Sequence, residues 1–234
     1  MPPWTRPGKK LAPARIRHSD GSTRCDTFSQ IGLIMTNNDH LLRELNHRVQ
    51  NNFQIIVSLM NLKKRMLPAD RQGDIRFIEE HVQSMAIAYK LVYATGDMVE
   101  VSTCALIEEI LSGLRHIAGL GDQRLKLEGF SFSDAIGLDQ AIALGLYLAI
   151  IVPPLLDQAQ ISGGTVHASG AVEDGFLTLS VVGNWHDNLA SDFLRNRLTR
   201  AYVDHLHAEL LPATEHPGHR LRFPLDPRRA AILG

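Results

Sequence analysis

The sequence predicts an α+β protein in two parts: a two-helix antiparallel hairpin that pairs with a second copy into a dimeric four-helix bundle, and after it an α/β sandwich. Three observations carry this. Apolar residues recur at three- and four-residue steps over Leu42, Leu45, Val49, Phe53, Ile56 and Met60, and again over Ile75, Ile78, Val82, Met85, Tyr89 and Val92. A short polar turn, Pro68-Ala69-Asp70-Arg71-Gln72-Gly73-Asp74, separates the two runs, so the helices must pack antiparallel. Beyond Gly96 the pattern changes to helices mixed with stretches of period-two alternation.

The first helix starts after Thr36-Asn37-Asn38-Asp39, any of which caps a helix, and ends near Leu67-Pro68, where the proline forbids continuation. One such hairpin carries a wider apolar stripe than it can bury alone, which makes a homodimer the expected state. A helix is expected at about 103–118, on Leu106, Ile107, Ile110, Leu111 and Leu114, followed by a short strand over Leu125–Phe130. A strongly apolar helix from about Leu138 to Leu156 is expected to break at Pro153-Pro154. Two alternating strands, Gly163–Ser169 and Phe176–Val182, flank the turn Glu173-Asp174-Gly175. A helix at about 190–210 and a strand at Arg220–Leu225 complete the second part. The domains expected are thus a tail over 1–35, the hairpin over 36–96, the sandwich over 97–227 and a C-terminal tail over 228–234.

With 234 residues and 44% hydrophobic composition there is material for a proper core. The net charge of -1 gives no general case for nucleic acid. The first 24 residues are different: Arg6, Lys9, Lys10, Arg15, Arg17 and Arg24 stand against the single acid Asp20, among Pro2, Pro3, Pro7 and Pro13. This stretch has no apolar period and reads as a disordered basic tail, or as sequence upstream of a true start at Met35. There is no apolar signal-like region and no run of about 18 apolar residues, so neither export nor a membrane span is expected. Cys25 and Cys104 fall one in the tail and one in the folded part, which suits a reducing cytoplasm. His205 and His207, two apart on a helix, face different directions and lack a third ligand, so no metal site is expected.

The run Leu42-Arg43-Glu44-Leu45-Asn46-His47-Arg48-Val49-Gln50-Asn51-Asn52, with Ile55 and Ser58-Leu59 after it, resembles the phosphoacceptor helix of HWE-related histidine kinases, the second HisKA-type dimerisation family. That family's box reads His-Arg-Val-Lys-Asn-Asn, and this chain departs from it at Gln50. The tail Pro217-Gly218-His219-Arg220-Leu221-Arg222-Phe223-Pro224-Leu225 is similar to the family's closing strand, so the resemblance extends over about residues 40–227. It implies a GHKL-type, histidine kinase ATPase-like sandwich for the second part.

The nucleotide boxes of that family are not kept. The resemblance puts Ile150 where the family has a glutamate, Pro154 where it has the asparagine that holds magnesium, and Asp157-Gln158 in place of a Lys-His pair. The family's Asp-x-Gly-x-Gly loop corresponds to Gly183-Asn184-Trp185-His186-Asp187, where the aspartate is gone and tryptophan replaces a glycine. The later Gly-x-Gly, which cradles phosphate at a helix N-terminus, corresponds to Arg197-Leu198-Thr199. Trp185 and the helix Leu144–Leu156 are expected to fill the former nucleotide cavity as core. The combination resembles bacterial dimeric histidine phosphotransferases that evolved from kinases, which take a phosphoryl group from one response-regulator receiver and pass it to another.

On a helix His47 lies about 200° around from Leu45, on the polar face. A neutral imidazole has a free lone pair and needs little activation as a nucleophile. The resemblance therefore implies His47 as phosphoacceptor, with the phosphoryl group and its magnesium both brought by the receiver and no cofactor of the chain's own. Asn51, one turn later, is placed to bond a phosphoryl oxygen or a hydrolytic water; Arg48 supplies positive charge, and Glu44 is placed to orient the imidazole. Gln54, Ser58 and Asn61 extend the face and are expected to dock the receiver. The expected function is His-Asp phosphotransfer without ATP. The alternatives are an active histidine kinase with an atypical ATP site, or a non-catalytic dimeric scaffold that binds receivers.

Overall fold

The computed structural model describes residues 44, 48–49, 51–68, 71–94, 100–184, 193–212 and 216–226. The expected tails 1–35 and 228–234 lie outside them, as does the turn at Ala69-Asp70.

Residues 51–66 are helical (α1), and the helix stops before Pro68, which cannot continue it. The chain returns through Gln72–Ala94 (α2), with the Arg71 amide bonded to the Pro68 carbonyl and the Gln72 side chain bonded to the Leu67 carbonyl across the turn. The two helices run antiparallel. Lys64 pairs with Glu79 at 3.0 Å near the turn, and the Phe53 and Tyr89 rings meet at 5.5 Å further along.

After α2 come Glu100–Ser102 (β1), Thr103–Ile117 (α3), Leu125–Glu128 (β2), Ala135–Gly137 (β3), Leu138–Ser162 (α4), Val166–Glu173 (β4), Phe176–Gly183 (β5), Phe193–His205 (α5), Glu209–Leu210 (β6) and Gly218–Pro224 (β7). Five strands form one sheet in the order β2-β4-β5-β7-β6, parallel between β2 and β4 and antiparallel elsewhere. The β4–β5 hairpin turns at Asp174-Gly175, both with positive φ, as the expected Glu173-Asp174-Gly175 turn requires. A separate pair, β1 with β3, is antiparallel. Alternate residues Val166, Ala168, Leu177, Leu179, Val181, Leu221 and Phe223 are buried on the sheet face that carries the helices. Against them lies α4, the central helix of the core, with Leu144, Leu148, Ile151 and Leu155 buried.

α4 corrects one expectation. It does not break at Pro153-Pro154 but runs 25 residues, to a left-handed cap at Gly163 (φ 73°). Pro154 removes the N–H that would have bonded the Ile150 carbonyl, and Nη1 of Arg195, from α5, donates to that carbonyl at 2.8 Å instead. The unbroken helix is also long and apolar enough to cross a membrane by length and composition, although its longest uninterrupted apolar run stops at Asp157. Of its most apolar window, 72% is buried within the fold, as suits a core helix.

α2 belongs to the same core. Ala88 and Val92 are completely buried in one cluster with α3, α4 and the sheet. The approach is close at Gly145, where a Cβ would meet Ile110 Cδ1 at 3.0 Å and the Ser84 carbonyl at 3.4 Å. One face of α2 thus packs on the second part and another on α1.

Candidate functional site

His47 lies outside the described residues, as do Asn46 and Gln50. Its helical neighbours are described. Arg48 and Glu44 pair with each other at 2.6 Å, both solvent-exposed, so the charge expected to serve the phosphoryl group is shared with the carboxylate one turn before it. Asn51, Gln54 and Ser58 are exposed and Asn61 is half-buried. The Ser58 hydroxyl donates back to the Gln54 carbonyl at 2.8 Å, which holds its rotamer. Asn51, Gln54, Ser58 and Asn61 fall within about 80° of one another on a helix, so they make one polar stripe along α1.

That stripe borders a groove. Gln54 and Ser58, with Phe53 and Val57, form one wall, and Gln83, Ala86, Ile87 and Lys90 of α2 form the other, around about 470 Å³. Lys90 is drawn to Glu109 of α3 at 2.9 Å. The groove therefore offers an apolar floor with amides, a hydroxyl and an ammonium along its rim, a composition suited to another protein's helix or loop.

Next to the polar stripe runs an apolar one that the periodicity of Leu42 to Met60 did not include. Ile55, Leu59, Leu62 and Met66 follow one another at helical spacing and are exposed, Leu59 at 60% and Met66 at 72%, with Ile56 and, on α2, Ile78 also exposed. The expected stripe residues Val49, Phe53 and Met60 are half-buried instead.

At the far side of α2 is a polar cluster on buried ground. Glu80 is 1% exposed and accepts from Arg76 at 2.9 Å; the same guanidinium reaches Asp157 of α4 at 2.9 Å. Burial, opposed by Arg76, pushes the Glu80 carboxyl up to about 7. Arg195 lies over the Phe77 ring at 5.3 Å while it holds the Ile150 carbonyl. His81 stacks on Phe77 at 4.3 Å with Nδ1 2.7 Å from the Phe77 carbonyl, and burial lowers its pKa. The i, i+4 spacing of Arg76 and Glu80 was legible in the sequence, but their shared partner on α4 was not.

The positions expected to have lost a nucleotide are placed as follows. Ile150 is 1% exposed, inside the packing of α4, and Pro154 is half-buried one turn on. Gly183 closes β5, its amide bonded to the Pro217 carbonyl at 2.8 Å, and the Asn184 side chain accepts from the Thr165 amide at 2.6 Å. Trp185 lies outside the described residues. Arg197-Leu198-Thr199 lies inside α5, which runs Phe193–His205 within the helix expected at about 190–210, and Thr199 is buried.

Residues 44–118 match the HisKA_2 family model, described as histidine kinase. No curated protein matches the chain. The histidine kinase domain of the Erythrobacter litoralis EL346 blue-light activated histidine kinase is similar in structure, at a TM-score of 0.54 and 20% identity, covering 85% of this chain and 100% of that one. The Erythrobacter litoralis EL346 blue-light activated histidine kinase in a second structure matches at a TM-score of 0.51 and 21% identity, covering 62% of this chain and 54% of that one. The stretch that carries the candidate site thus matches a histidine kinase family, and the mixed α+β fold is that of a histidine kinase domain.

Proposed function

We propose that this protein is a histidine phosphotransfer protein: His47 accepts a phosphoryl group from the aspartate of a response-regulator receiver and passes it to another receiver, without ATP. In the transfer the His47 nitrogen lone pair forms the new N–P bond as the aspartyl O–P bond breaks, and the carboxylate leaves with the bonding pair. The receiver brings the magnesium that neutralises the phosphoryl oxygens. Asn51 and Arg48, four residues and one residue after His47 in the sequence, bond those oxygens in this reading. The second part, over 97–227, is a degenerate GHKL-like sandwich that serves as a scaffold.

The observation that carries the reading is α4. Where kinases of the resembled family place a glutamate and a magnesium-binding asparagine, this helix has a buried isoleucine and a proline, and Arg195 occupies the backbone acceptor between them. Neither side chain supplies an oxygen for a metal-bound triphosphate. The exposed stripe Ile55, Leu59, Leu62 and Met66 supports a homodimer with α1 and α2 of two copies in a four-helix bundle. The groove beside Gln54 and Ser58 supports a receiver as the partner.

Transfer from a phosphorylated receiver, in buffer without nucleotide, tests this. Label moves to the protein, is lost in His47→Ala, and is collected by a second receiver. A panel of receivers from which no label moves would leave a non-catalytic scaffold as the function. A second reading, an active histidine kinase that handles ATP by other residues, draws on the family match over 44–118 and the kinase-domain fold, both of which it shares with the first.

A further inference from the structure

We infer that α2 and the second part form one body, latched at the turn end by Arg76 to Asp157, so that the hairpin does not swing relative to the sandwich. The contact between them is built like a core. Glu80, Ser84, Ala88 and Val92, spaced four apart along α2, are all 1% exposed or less. The Ser84 hydroxyl returns to the Glu80 carbonyl at 2.8 Å, so the one hydroxyl in the row is satisfied without water. At Gly145 the α4 backbone comes close to Ser84: a Cβ there would stand in ordinary contact with the Ser84 carbonyl at 3.4 Å and would press only on the tip of Ile110, at 3.0 Å.

An ion-pair network closes this row at one end. At the turn end, Arg76 is shared between a buried carboxylate of its own helix and Asp157, 47% exposed, on α4. Separation would strip the buried Glu80 of part of its compensation as well as break the pair to Asp157. Asp157 stands where the resembled family has lysine, and a lysine there would face Arg76 with like charge. The residue that departs from the kinase pattern is thus the one that closes the latch. Arg195 adds a further tie from α5, through Phe77 and the Ile150 carbonyl.

A kinase whose nucleotide domain serves its own histidine needs the two parts to change their relation during the cycle; a relay protein served from outside gains from a fixed one. The inference concerns the mechanics of the chain and holds whichever way phosphoryl groups flow, so a failure to accept label from receivers would leave it standing.

The test uses the full chain in a Cys25→Ser, Cys104→Ser background with Ser84→Cys and Gly145→Cys added. A Cβ at 145 would lie 3.6 Å from that of Ser84, within the range for an unstrained disulfide, and only the tip of Ile110 has to yield. Amide hydrogen exchange is followed along α2 in the reduced and oxidised forms. If α2 stays docked it exchanges only when the whole fold opens, so the cross-link slows α2 and the sheet strands β4 and β5 by the same factor; slowing of α2 by about tenfold or more beyond that of β4 and β5 would mean that α2 undocks by itself, and would overturn the inference. Asp157→Lys, in the otherwise unmodified chain, checks the latch without the engineered cysteines: exchange over residues 76–84 accelerates about tenfold or more. Unchanged exchange in that variant would equally overturn the role given to Arg76 and Asp157.

Discussion

The guanidinium of Arg195 donates to the carbonyl of Ile150, 45 residues earlier, at 2.8 Å, and so stands in for the amide hydrogen that Pro154 lacks. A proline inside a helix costs roughly 3 kcal/mol, in part through such an orphaned acceptor. Arg195→Ala is therefore expected to destabilise the protein by about 1–3 kcal/mol in urea denaturation. Pro154→Ala returns an N–H to the same carbonyl. In that background Arg195→Ala should lose about half its effect or more, and additive losses would show that the arginine does not serve this acceptor.

Glu80 links stability to pH with a definite sign. Its carboxyl titrates at about 7 in the folded protein against 4.5 when unperturbed, because burial disfavours the charge more than Arg76 restores it. The folded state therefore binds the proton more tightly. Stability from this group rises as pH falls from about 7 towards 4.5, and the cost of the buried carboxylate, on the order of 3 kcal/mol, is fully present above about pH 7. Glu80→Gln is expected to raise the denaturation midpoint at about pH 8 and to leave it nearly unchanged at about pH 5. Equal destabilisation at both pH values would mean that the Arg76 pair outweighs desolvation.

Much of the fold was legible from local pattern. The stop at Pro68, the span of α3, and the β4–β5 hairpin on Asp174-Gly175 follow from rules that act over a few residues. The run of α4 through Pro153-Pro154 was not, since the group that offsets the lost bond arrives from a distant helix. β1, β3 and β6, two or three residues each, are too short to show alternation. On α1 the sequence identified the polar stripe of Asn51, Gln54 and Ser58, but the exposed apolar one escaped notice: Leu59, Leu62 and Met66 belong to a second periodic series interleaved with the half-buried series of Val49, Phe53 and Met60. Two interleaved series on one helix do not show as a single apolar stripe.

The exposed series sets an expectation for assembly. Light scattering should give twice the 26.0 kDa chain mass, and Leu59→Glu with Met66→Glu, which place charge in the stripe, should halve it while helical circular dichroism persists. A monomer in the unmodified chain would remove the four-helix bundle from the account.

The groove between α1 and α2 makes the docking proposal specific. Ser58→Tyr puts a ring into the groove without touching His47, and phosphoryl uptake from a cognate receiver is expected to slow by roughly tenfold to a hundredfold, since small misplacements of reacting groups carry penalties of that size. Uptake at the normal rate, in a protein shown to be folded, would place the receiver elsewhere.

Relay and kinase differ most plainly in where the phosphoryl group on His47 originates. Incubation of the unmodified protein and of His47→Ala with ATP labelled at the γ-phosphate, with magnesium, alongside incubation with a labelled phospho-receiver, separates them in one experiment. The account predicts label on the unmodified protein from the receiver alone, and none on His47→Ala from either source. Label from ATP that disappears in His47→Ala would contradict it.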